Sequence, residues 1–188
     1  MNNNIATYNP IDGRVFLDSS FVNPIQKSYY LSHEILYASS FRSVKLLNDS
    51  IFSVRGGYSM SFDNGLVRGS WFDEAVIEEL NKNIFLFNWK KPESELGPNL
   101  VKIINGTYSE ERKCLKHFLK ITSQITKYSE DSLYEKTFRG LFEKEPEIIE
   151  IFSKNYKDGF LEYLGSFDTL KNKILYSIFI NDLKKYIK

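Results

Sequence analysis

The chain has 188 residues, 42% of them hydrophobic and 15% aromatic, with 25 basic against 24 acidic side chains and a net charge of +1. That apolar content supports a real core and argues against intrinsic disorder, while the balanced charge argues against a dedicated nucleic-acid coat, which is clearly basic. A single cysteine, Cys114, excludes an intramolecular disulfide and a cysteine-rich zinc site, and apolar runs such as Ile84-Phe85-Leu86-Phe87 fall far short of the ~20 residues a membrane helix needs.

The start of the chain, Met1 to Pro10, has neither a basic region nor an apolar core, so no secretory signal is expected. With one cysteine, this fits a reducing cytoplasm. Arg14 to Asp18 reads as a short buried strand. Tyr29 to Phe41 reads as a helix, with Tyr30, Leu31, Ile35 and Ala38 near one face. Val44–Leu47 and Ile51–Val54 read as strands around the turn formers Asn48-Asp49-Ser50, and Arg55-Gly56-Gly57 as a sharp turn. Tyr58, Met60 and Phe62 alternate with Ser59 and Ser61, and Asp63-Asn64-Gly65 supplies the positive-φ residues of a hairpin that returns through Leu66-Val67-Arg68.

Ser70 then caps a helix from Trp71, with Asp73 and Glu74 in its first turn and Phe72, Val76 and Leu80 at i, i+4 and i+8. Trp71 is expected in the core with its N–H hydrogen-bonded. Ile84 to Trp89 reads as a further strand, and Lys90 to Pro98 as a boundary. The second half reads as helical. Thr107 and Glu110 form a capping-box pattern before a stripe of Leu115, Phe118, Leu119 and Ile125. Ser129 caps a helix with Tyr134, Phe138, Leu141 and Phe142 on one face, and Pro146 opens a helix carrying Ile148, Ile149 and Phe152. Phe160, Leu161 and Leu164 mark a short helix before Gly165. A last helix from Ser166 places Leu170, Ile174, Ile178 and Phe179 inward. The expected fold class is α+β, with a small mixed or antiparallel sheet and helices over residues 1–92 and a helical part over 98–188, packed as one domain or two.

Few constellations carry chemistry. Cys114 and His117 share a helical face at i and i+3, but adjacent turns of one helix are a poor platform for a nucleophile and its base. His33-Glu34 lacks the further ligands of a metal site, and the glycines of Arg55-Gly56-Gly57 do not fit a phosphate loop. No cofactor or metal is expected. Arg55 and Arg68 flank the hairpin and are read mainly as braces against a carboxylate, with an anion or partner contact as the alternative. Acidic residues cluster more suggestively. Glu74, Glu78 and Glu79 lie outside the apolar stripe of their helix. Between Glu130 and Glu150, seven acids against three bases give a local charge of −4, whereas residues 171–188 of the last helix reach +4. A solvated helix surface is the bland reading; the functional one is steering of a basic partner onto an acidic face.

Val15-Phe16-Leu17-Asp18-Ser19, Lys27-Ser28-Tyr29-Tyr30-Leu31-Ser32, and Arg55-Gly56-Gly57-Tyr58 leading to Gly69-Ser70-Trp71 carry a family likeness. Over about residues 14–90 the chain resembles immunity proteins of bacterial contact-dependent growth inhibition systems. The resemblance implies a cytoplasmic protein that binds the toxic C-terminal domain of a cognate effector, commonly a nuclease, and blocks it without catalysis. The expected partner is that protein domain, with no direct nucleic-acid or membrane contact. The expected contact surface is Glu143, Glu145, Glu147 and Glu150, then Glu74 and Glu78. The alternative is a small transferase or hydrolase using Arg55, His33 or Cys114.

Overall fold

The computed structural model describes residues 6–9, 14–18, 23–48, 51–62, 67–89, 98–167 and 173–188. They form an α+β fold, with two antiparallel sheets and eight α-helices among the described residues. The expected turn Asp63-Asn64-Gly65, the boundary over Lys90 to Gly97, and Leu170 lie outside them. Contacts divide the chain into two compact units. One comprises Met1–Ser39 with Ile77–Thr107, the other Ser40–Val76 with Tyr108–Lys188.

In the first unit, β1 (Ala6–Asn9) pairs with β2 (Arg14–Leu17), Ala6 opposite Leu17 and Asn9 opposite Arg14. β2 is not the buried strand expected: Phe16 is 53% and Leu17 41% exposed. A two-stranded ribbon covers neither of its own faces. Helix α1 (Pro24–Ser39) begins earlier than Tyr29. Asn23 Oδ1 accepts from the N–H groups of Ile25 at 2.9 Å and Gln26 at 3.2 Å, and Pro24 occupies the first helical position, where a missing N–H costs nothing. Its buried residues are Tyr29 and His33, and Ile35 is exposed, so the inner face is rotated from the expected one.

Helix α2 (Ser70–Trp89) contributes residues from Ile77 onward to this unit. Ile77, Asn81 and Phe85 are buried at i, i+4 and i+8, and this spacing corrects the expected strand over Ile84 to Trp89. A short apolar run does not itself distinguish a strand from a buried helix end. Helix α3 (Pro98–Gly106) supplies Ile104. Tyr29, Phe85 and Ile104 form the core, with Ile25, Leu86, Val101 and Ile103 against it.

The second unit holds a meander ordered β3 (Arg42–Asn48), β4 (Ile51–Gly56), β5 (Ser59–Phe62) and β6 (Val67–Arg68). The β4–β5 turn needs glycine. Gly57 has φ +58°, its N–H donates to Phe41 O at 2.9 Å, and a Cβ there would collide with the Asp73 carboxylate. Gly57→Ala is therefore expected to cost about 1–3 kcal/mol. Urea unfolding measures this, and an unchanged midpoint would show that the turn relaxes freely.

Gly69, at φ +75°, passes the chain into the first turns of α2, where Trp71 is fully buried and its indole N–H donates to Leu164 O at 2.9 Å, as expected from sequence. Five helices follow: α4 (Ser109–Ile125), α5 (Glu130–Gly140), α6 (Glu147–Asn155), α7 (Phe160–Gly165) and α8 (Lys173–Leu183). Ser129 caps α5 by accepting from Ser132 N–H at 3.2 Å, and Pro146 directly precedes α6.

Three expectations are corrected in this half. The capping box does not form: Thr107 Oγ1 donates back to Ile103 O at 2.8 Å, and Tyr108, at φ 46°, precedes α4 without a side-chain cap. In α5 the buried positions are Leu133, Thr137 and Gly140, one notch from Tyr134 and Phe138; of the expected face Leu141, at the C-cap, is buried, while Phe142 lies beyond the helix and is exposed. In α8, Ile174 and Ile178 are exposed, and Phe179 and Leu183 face inward. The core is aromatic. Phe118 of α4 is ringed by Phe72, Phe152, Tyr156, Phe160 and Phe179 at centroid distances of 4.9–6.2 Å.

Candidate partner-binding surface

The four acids favoured from sequence fall on one stretch of the second unit, the turn between α5 and α6 and the first turn of α6. That turn rests on a fixed base. Phe41 N–H donates to Leu141 O at 2.7 Å. Arg55 donates from Nε to Gly57 O at 2.8 Å, from Nη1 to Lys144 O at 2.5 Å and from Nη2 to Glu143 O at 3.2 Å. Its guanidinium carbon lies 4.9 Å from the Phe41 ring centroid. Arg55 is thus a brace, as expected, but against carbonyls instead of a carboxylate. The Tyr58 hydroxyl donates to Thr137 O at 2.7 Å, and a Cβ on Gly140 would overlap that hydroxyl. Glycine is required here for close approach of the ring to α5.

Three of the four acids carry cation partners. Glu143 lies 3.2 Å from Arg139, Glu147 2.7 Å from Lys136, and Glu150 2.5 Å from Lys154. Glu145 is exposed and makes no ion pair among the described residues. The Lys154 ammonium holds the Glu150 carboxyl below its ordinary value, and Glu147 raises Lys136. The negative character of the segment is therefore largely balanced on its own surface. Exposed pairs of this kind hold each other weakly, typically by about 0–1 kcal/mol, so a partner's cation can replace either lysine.

Glu147 and Glu150 share a cleft of about 430 Å³ with Ile125, Thr126, Lys127, Tyr128, Ile151, Lys154 and Asn155. Lys127 and Lys136 place their ammonium groups 5.7 and 5.2 Å from the Tyr128 ring centroid. An aromatic ring, aliphatic side chains and an acid–base rim make a surface suited to a protein side chain. Sequence reasoning missed Tyr128 and Lys136. Lys154 was legible, four residues beyond Glu150 on one helix face.

The two acids of α2 behave differently. Glu74 is half-buried in the second unit. Glu78, in the first unit, is fully buried, and its carboxylate accepts from the Tyr29 hydroxyl and lies 2.7 Å from His33 Nδ1. Its place in a contact surface is therefore withdrawn. Asn81 joins the same interior group, donating to Tyr29 O at 3.1 Å while its side-chain oxygen accepts from Ser32 Oγ. His33 thus sits in an internal polar network. Within the second unit, Cys114 is fully buried, and burial pushes its thiol well above the ordinary value, while His117 is exposed with Nδ1 3.0 Å from the Tyr176 hydroxyl. Cys114 and His117, at i and i+3 on α4, thus differ in exposure, the first buried and the second exposed.

Among the described residues, no group of three His, Cys, Asp or Glu side chains is placed to hold a metal ion, and no helix is long and apolar enough to cross a membrane. The side chains of Arg68 and Trp89 lie outside the described set. Comparison with known protein families, curated proteins and solved structures finds no match.

Proposed function

We propose that this chain is an immunity protein: a cytoplasmic, non-catalytic binder that neutralises the toxic C-terminal domain, a nuclease, of a contact-dependent growth inhibition effector. The observation that carries the reading is the cleft beside α6. Glu147 and Glu150, singled out as acids in the sequence, line it together with Tyr128 and Ile151. Tyrosine is enriched among energetically dominant contacts, and flanking acids steer a basic partner into register. The family resemblance of residues 14–90 supplies the class of partner.

The test is co-expression with the C-terminal segment encoded immediately upstream. Rescue of growth and co-purification of the two proteins support the proposal. The pair Glu147→Lys/Glu150→Lys is expected to slow association about tenfold at low salt and to weaken protection. Full protection with an unchanged association rate would remove this surface from the interface, and toxicity that the chain does not relieve would end the immunity reading.

A further inference from the structure

The outward face of α4 carries a second feature, unrelated to the cleft beside α6. Lys113, Lys116, His117 and Lys120 line a groove of about 390 Å³, with Ile121 and Gln124 completing it among the described residues. All four basic side chains are exposed. The spacing i, i+3, i+4 and i+7 places them on adjacent turns of one face. Only Lys113 has an ion-pair partner, Glu110 at 2.8 Å; Lys116 and Lys120 make no ion pair among the described residues. Ammonium groups on neighbouring turns repel one another, and a bound anion relieves that repulsion. The Tyr176 hydroxyl, 3.0 Å from His117 Nδ1, adds a further polar group at the edge.

We propose that this groove is a binding site for a small phosphate-bearing ligand. Its volume falls within the ~300–1,000 Å³ of small-molecule sites. The choice of phosphate over carboxylate follows from the donors. No arginine lines the groove among the described residues, so it offers no planar fork and selects by charge density, which is higher on a phosphate group, with up to about two charges, than on a carboxylate, with one. Lysines are flexible point charges that converge on a compact, multiply charged anion with acceptors on all sides. Ile121 offers an apolar contact for the organic part of the ligand. None of these residues takes part in the proposed toxin contact, so the two ideas stand or fall separately.

Isothermal titration calorimetry of the full chain with inorganic pyrophosphate at low salt tests the site. Binding with a Kd below about 1 mM is expected, weakened at least about tenfold in Lys116→Gln/Lys120→Gln. The exposed pair Lys184→Gln/Lys185→Gln serves as a control of equal charge loss and should bind as the parent does. Acetate, whose single carboxylate carries one charge, should bind much more weakly. If the glutamine pair melts early, amide chemical-shift changes in the parent replace it, and these should centre on Lys116, His117 and Lys120. Absence of binding, equal binding of acetate, equal loss in Lys184→Gln/Lys185→Gln, or shifts centred elsewhere would each overturn the proposal.

Discussion

Phe118→Ala is expected to lose about 3–5 kcal/mol of folding stability, from a total that for domains of this kind is about 5–15 kcal/mol. Phe118 is fully buried in the second unit and meets rings from α2, α6, α7 and α8. Truncation forfeits the transfer of a large apolar side chain and leaves a cavity bounded by rigid rings. Such rings collapse poorly, because each is already held by others: Tyr156 stacks on Phe160 at 4.1 Å, and Phe152 lies 6.3 Å from both. Phe118→Leu keeps most of the volume and should lose clearly less. Urea denaturation of the three proteins measures both values. A loss under about 1 kcal/mol for the alanine variant would show that Phe118 is not the centre of the core.

The second large effect is electrostatic. Asp73 is buried in the first turn of α2, with Oδ1 accepting from Tyr58 N–H at 2.9 Å and Oδ2 enclosed without a hydrogen-bond partner. Burial raises its pKa from 3.8 to about 7, and nearby Glu74 adds to this, while the Tyr58 hydrogen bond and the Arg55 charge oppose it. The folded state therefore holds the proton more tightly than the unfolded chain. The resulting stabilisation is full below pH 3.8, declines as pH rises, and is gone above about 7. Its size is on the order of 4 kcal/mol. Asp73→Asn, which cannot ionise, should flatten this dependence and be more stable than the parent at pH 8, by roughly 2–3 kcal/mol. Unfolding midpoints from pH 5 to 8 decide the matter: parallel curves for the two proteins would mean that Asp73 is ionised throughout.

Local signals were read well where a single residue type dictates geometry. Ser129 caps α5, Pro146 introduces α6, and Gly57 sits where only glycine is comfortable. Faces were harder. With aromatics at 15% of the chain, almost every helix offers two adjacent apolar stripes, and periodicity does not say which one finds a partner. That is why α1, α5 and α8 are each rotated from expectation: tertiary contacts made the choice. The end of α2 was misread because Ile84-Phe85-Leu86-Phe87 fits a strand as well as a buried helical turn.

The candidate surface shows the same division. Glu147 and Glu150 stand out as acids in any reading, and Lys154 is visible as the helical neighbour of Glu150. Lys136 pairs with Glu147 from 11 residues away across a turn, which no periodicity reveals. Glu78 resembled a solvated residue because its spacing sets it beside the apolar stripe. Its burial depends on Tyr29 and His33, 49 and 45 positions earlier.

The bond from the Trp71 indole to Leu164 also sets a schedule. Its two ends are 93 residues apart, and on a ribosome adding about 5–20 residues per second they are synthesised roughly 5–20 s apart. Gly69 waits in the same way for Gly165, and Arg55 for Lys144. Through that interval the apolar start of α2 is a nascent segment without its native cover, the state in which chaperones meet a growing chain.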